Sequence, residues 1–117
     1  MKIEIFYQKM RVKNWSLTII SNKEYPVKED IEKYYKLIQL PIDFWDANLD
    51  EIEDDTLLEN IFLMMNNYDE NPLSNSKMQK WLKENNISHT SMSPGDIVSL
   101  DGRYYVCDII GWKKMDT

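Results

Sequence analysis

Cysteine, histidine and glycine are scarce in this 117-residue chain, and each scarcity closes off a class of chemistry. The one cysteine, Cys107, has no second thiol for an internal disulfide, which fits a reducing compartment. The one histidine, His89, lies 18 residues before it, with no further thiol or imidazole to complete a zinc set. A Cys–His nucleophilic pair would have to meet in space. Cys107 stands between Val106 and Asp108 in a strand-like run, where free cysteine behaves as a small buried hydrophobe. A structural role is the reading for both residues.

The three glycines, Gly95, Gly102 and Gly111, all fall in the last quarter of the chain. There is therefore no Gly-rich loop to cradle a phosphate. Ser91 and Ser93 precede Gly95-Asp96 but do not make the Gly-x-Ser-x-Gly elbow of a hydrolase. No catalytic residue is assigned, and the chain reads as a protein that is not an enzyme. Long apolar runs are missing too: the stretch near Ile61–Met65 is far below the roughly 20 residues that span a bilayer. The start, Met-Lys, leads straight into alternating sequence, so a cytoplasmic domain without signal peptide is expected.

Base is in short supply as well. Fourteen basic against twenty acidic residues give a net charge of −6, which disfavours direct binding to nucleic acid. Asp46, Asp50, Glu51, Glu53, Asp54 and Asp55 form a run without a basic residue. One reading is a solvated loop leading into a helix N-terminus, where the dipole favours carboxylates. The other is an acidic face that meets a basic partner or imitates a phosphate backbone. A metal is not expected, because the Asp-x-Asp-x-Asp-Gly loop of an EF-hand is absent, and no cofactor is assigned.

What is present supports a folded core. Apolar residues make up 43% of the chain and aromatic residues 12%, enough for one α+β domain spanning 1–117. Lys2–Val12 alternates as a strand, and Trp15–Ile20, rich in β-branched residues after Lys13-Asn14, reads as its antiparallel partner. Val27, Ile31, Tyr34, Tyr35 and Ile38 make one helical stripe, with Glu29 and Asp30 in its first turn and Pro41 as its stop. Phe44 and Trp45 read as plugs in an irregular connection. A second helix follows the acid run, with Asp54 or Asp55 as cap and Leu57, Leu58, Ile61, Phe62 and Met65 inward. A third, beginning at Ser74 or Ser76, turns Met78, Trp81 and Leu82 inward.

The C-terminal segment carries the sharpest local signal. Two apolar runs flank Asp101-Gly102, the pair that favours a two-residue type I′ hairpin. Pro94-Gly95 marks a type II turn before it, and Gly111 ends the last strand. About four strands in one antiparallel sheet, with about three helices on one face, follow from this order. No internal repeat or low-complexity linker interrupts it. A second set, Trp45, Arg103, Tyr104, Tyr105 and Trp112, could stack a base and meet a phosphate, though Tyr104 and Tyr105 point to opposite faces of a strand.

The segment Ser91-Met-Ser-Pro-Gly-Asp-Ile-Val98, then Tyr105, Cys107 and Gly111-Trp112, resembles the YodL-like family, small domains of Gram-positive bacteria and their mobile elements. Ile5-Phe-Tyr-Gln8 looks like that family's first strand. The resemblance is good over about 25 C-terminal residues, residues 91–112, and loose in the middle. It implies a mobile-element accessory protein and transfers no catalytic residue. With the acid run, the expectation is a non-catalytic interaction protein of a phage or plasmid, of the kind that inhibits a host defence nuclease (anti-CRISPR or antirestriction type). Its partner would be a nucleic-acid-binding nuclease complex, and the protein itself a monomer or weak dimer away from membranes. The alternatives are a small-ligand binder, such as a sponge for a nucleotide signal, and an element-maintenance adaptor.

Overall fold

Five strands form one antiparallel sheet in the order β2-β1-β3-β4-β5 in a computed structural model that describes residues 2–9, 11–39, 51–66, 80, 83–84 and 91–115. The strands are β1 (Ile3–Gln8), β2 (Tyr35–Gln39), β3 (Ile97–Leu100), β4 (Arg103–Cys107) and β5 (Trp112–Lys114). Helices α1 (Trp15–Asn22), α2 (Asp30–Tyr34) and α3 (Asp54–Asn66) complete the described elements. The architecture is α+β, as the sequence suggests, with one strand more than expected.

The central strand explains the layering. All four residues of β3 are buried, so both faces of the sheet are covered. On one face Ile3, Ile5, Val98, Leu100 and Tyr105 pack against Leu57, Leu58, Ile61 and Met65 of α3. On the other, Phe6, Ile97 and Val106 pack against Trp15 and Ile19 of α1, with Tyr34 and Ile31 of α2 at the margin. The expectation of helices on a single face is therefore corrected. Period-2 alternation along β1, β3 and β4 feeds two cores at once.

Two elements differ from the expected ones. Trp15–Asn22 is a helix and not a strand. The Asn14 side chain accepts the Leu17 N–H at 3.2 Å, and Lys23 closes the other end in the left-handed region at φ 52°. A strand would put Trp15, Leu17 and Ile19 on one face. Leu17 is instead 61% exposed while Trp15 and Ile19, four apart, are buried. The single helix expected over Val27–Ile38 is a short α2 followed by β2. Tyr35 turns extended, at φ −127° and ψ 151°, and pairs with Gln8 as β2 runs antiparallel to β1. The N-terminal pair is thus β1 with β2.

The hairpin is where the sequence puts it. Leu100 pairs with Arg103, and Asp101 and Gly102 both take positive φ, 51° and 83°, as a type I′ turn requires. Gly111 does not end the last strand but turns the chain back into β5, where Trp112 pairs with Cys107. His89, Phe44, Trp45, Asp46, Asp50 and most of the expected third helix lie outside the described residues. Lys80, Lys83 and Glu84 of that helix are helical and exposed.

The Ser91–Asp96 approach to β3 is the meeting point of the fold. Asp96 accepts the Gln8 N–H at 3.0 Å and the Ser93 N–H at 2.8 Å, and its own N–H closes the turn onto the Ser93 carbonyl. Gln8 Nε2 donates to the Pro94 carbonyl at 2.9 Å while its Oε1 accepts the Trp15 N–H at 2.8 Å. Tyr35 Oη donates to the Gly95 carbonyl, and Asn66, at the end of α3, exchanges two bonds with the backbone of Met92. One turn therefore ties together β1, α1, β2, α3 and, through the Gly95 and Asp96 backbone bonds to Cys107, β4.

Candidate functional site

α3 begins at Asp54, in the acid run, and the sheet gives that residue a partner. Arg103 of β4 donates through Nε and one terminal nitrogen to the two carboxylate oxygens of Asp54, at 2.7 and 2.9 Å. Tyr105, two residues on and hence on the same face of the strand, donates its hydroxyl to the same carboxylate. The guanidinium hydrogen bonds hold the Asp54 carboxyl below its ordinary range. Burial, then the bond to Asp54, pushes the Tyr105 hydroxyl up, and the Asp54 contact raises Arg103. The cluster is an ion-paired clamp between helix and sheet.

The rest of the described acid run faces water. Glu51, Glu53 and Asp55 are exposed, and Glu59 continues them one turn along α3. None of the four makes an ion pair among the described residues. The sequence deepens this asymmetry. From Leu37 to Ser76 there is no basic residue and no histidine, against ten carboxylates. Glu59 belongs to the surface, although it stands outside the run that first draws attention. Its spacing of four from Asp55 on a helix is the signal that places it there.

Near Glu59 a small open pocket of about 130 Å³ lies between α3 and the β4–β5 turn, lined by Phe62, Cys107, Asp108, Ile109, Gly111 and Trp112. Trp112 meets Phe62 edge to face, with ring centres 6.4 Å apart. Cys107 is buried, and desolvation, reinforced by Asp96, Asp108 and Glu59, pushes its thiol up to about 12. At neutral pH it stays protonated and is a poor nucleophile. Among the described residues no group of three His, Cys, Asp or Glu side chains is arranged to hold a metal.

The described members of the alternative ligand set do not all share one face. Arg103 and Tyr105 are engaged with Asp54, Tyr104 lies on the opposite face against Phe6, and Trp112 stands beside Phe62. Trp45 lies outside the described residues. No described helix is long and apolar enough to cross a membrane.

No family model matches the chain, and no solved structure matches it. Over 73 residues it is 47% identical to an uncharacterized protein of Acanthamoeba polyphaga mimivirus, a match covering 57% of this chain and 66% of the viral protein. The chain thus spans just under two thirds of the length of a relative carried by a giant virus.

Proposed function

We propose that this chain is a non-catalytic interaction protein of a mobile genetic element or virus, and that it acts by presenting the acidic start of α3 to a cationic groove of a host nuclease. The observation that carries the reading is the set of exposed carboxylates Glu51, Glu53, Asp55 and Glu59, without an ion pair among the described residues, on and just before a helix clamped to the sheet by Asp54 and Arg103. A groove built for phosphates attracts such a surface, and field-driven encounter makes association fast at low salt and slower as salt rises. The viral relative and the resemblance of Ser91–Val98 to a mobile-element family support the setting.

The test is displacement. A labelled DNA duplex bound to each of a panel of host defence nucleases is followed by fluorescence anisotropy as the protein is added. Release of the duplex by the parent, and not by Glu51→Gln/Glu53→Gln/Asp55→Asn, is expected for the true partner. Equal release by both proteins, or none across the panel, defeats the reading. Asp54 stays in place in this variant, because removing it would disturb the clamp rather than the surface alone.

A further inference from the structure

The turn joining β4 to β5 is braced at its base yet presents apolar side chains to water. The Asp108 N–H donates to the Gly111 carbonyl at 3.0 Å. The Asp108 carboxylate accepts the Ile109 N–H at 2.7 Å through one oxygen and the Tyr25 hydroxyl at 2.7 Å through the other. Despite this bracing Ile109 is 58% and Ile110 91% exposed. A fixed backbone that holds two isoleucines outward is pre-organised for contact, since little freedom remains to be lost on binding. Beside the tip lies the pocket over Phe62, Cys107 and Trp112, with Glu59 of α3 and the turn residues Asp108 and Ile109 also lining it. Its volume of about 130 Å³ is of the order of one ring or one branched side chain, and it is open to solvent with Phe62, Ile109 and Trp112 as its apolar part.

We propose that this pocket and the Ile109–Ile110 tip receive one large apolar side chain from a basic protein segment, whose flanking lysines or arginines meet Glu59 and the acidic start of α3. The inference rests on the reading of α3 as a partner surface and names what docks beside it. Charge selects the occupant. A second copy of this chain docked through the same face would bring like carboxylates against Glu59, and like charges across an interface oppose docking. A basic segment reverses that sign, and its single apolar residue supplies the desolvated anchor that centres an interface.

The experiment titrates the ¹⁵N-labelled full chain with acetyl-Lys-Lys-Leu-Lys-Lys-amide and with its counterpart carrying serine for leucine, read by amide chemical shifts. The leucine peptide is expected to shift the amides of Phe62, Leu63, Ile109, Ile110 and Trp112 saturably. Serine for leucine should weaken binding by about tenfold or more, the effect of losing one buried leucine side chain. Ile109→Ser and Ile110→Ser, both at exposed positions, should weaken it without altering the rest of the spectrum. If both peptides move only the amides at Glu51–Asp55 and Glu59, the pocket proposal falls and the acidic surface stands. If neither peptide shifts anything at millimolar concentration, or the isoleucine variants bind as the parent does, the pocket proposal also falls. The displacement assay then judges the acidic surface alone.

Discussion

Gly95 and Gly102 both hold positive φ, at 99° and 83°, but for different reasons. A Cβ on Gly102 would meet nothing within 4 Å, so a side chain there strains only the backbone. A Cβ on Gly95 would lie 2.7 Å from Trp15 Cβ and 3.0 Å from Gln8 Nε2, the side chain that joins the Pro94 turn to α1. Gly102→Val should therefore cost about 1–3 kcal/mol, the range for residues held in disfavoured backbone regions. Gly95→Ala, though smaller, should cost more, because it adds a collision at the meeting point of the fold. Urea midpoints at constant slope would rank the two. The reverse order would mean that the Pro94 turn yields more easily than its bonds imply. Ser99 offers a contrast. It is fully buried on β3, and its hydroxyl has no hydrogen-bond partner among the described residues. Since an unsatisfied buried hydroxyl is destabilising, Ser99→Ala should be neutral or raise stability by up to about 1 kcal/mol in the same denaturation experiment.

Elements were legible in the sequence where the signal was local. Asp101-Gly102 sits between its two strands, and the 3.6-residue spacing of Leu57, Leu58, Ile61 and Met65 marks α3 unaided. The misread stretch, Trp15-Ser-Leu-Thr-Ile-Ile20, has strand composition, and Asn14 before it, the cap that decides for helix, is a weaker cue than β-branching. β2 was hidden because Tyr35 belongs to a helical stripe by spacing, and only pairing with Gln8, 27 residues earlier, draws it extended. Pairing at a distance also conceals the clamp, since Asp54 and Arg103 stand 49 residues apart. That clamp has a pH signature. Arg103 lowers the Asp54 pKa in the folded state, so its contribution is full above the unfolded value of about 3.9 and is lost as pH falls through the lower folded value. Both side chains keep some exposure, 40% for Arg103 and 23% for Asp54, so solvent screens the pair. Asp54→Asn should then cost about 1–2 kcal/mol at pH 7, and the difference should shrink as pH falls below about 4. Thermal melts of parent and variant across that range should converge at the acid end. A constant gap would assign the loss to packing instead.

At the scale of the molecule, the described charges divide unevenly between the two faces of the sheet, although Arg103 and Lys114 lie near Asp54 on the α3 side. The segment 9–36, which supplies α1 and α2 to one face, has seven basic and four acidic residues, and two of its lysines are turned onto aromatic rings. Lys13 lies 4.0 Å from the centre of the Trp15 ring and Lys28 5.5 Å from that of Tyr104. The other face carries α3 and the exposed Glu51, Glu53, Asp55 and Glu59, with no base on the helix. Such separation favours steering over stability. Like charges crowd at one end of α3, where the helix dipole offsets only part of their repulsion. Replacing Glu51, Glu53 and Asp55 by their amides takes the net charge from −6 to −3. The variant should melt at or slightly above the parent temperature, with the largest gain at low salt, since at about 0.15 M the Debye length is near 8 Å and the repulsion is screened. Calorimetry at low and physiological salt checks this. A lower melting temperature would show that these carboxylates support the fold, as Asp54 does, and would remove them as a surface kept at a cost for a partner.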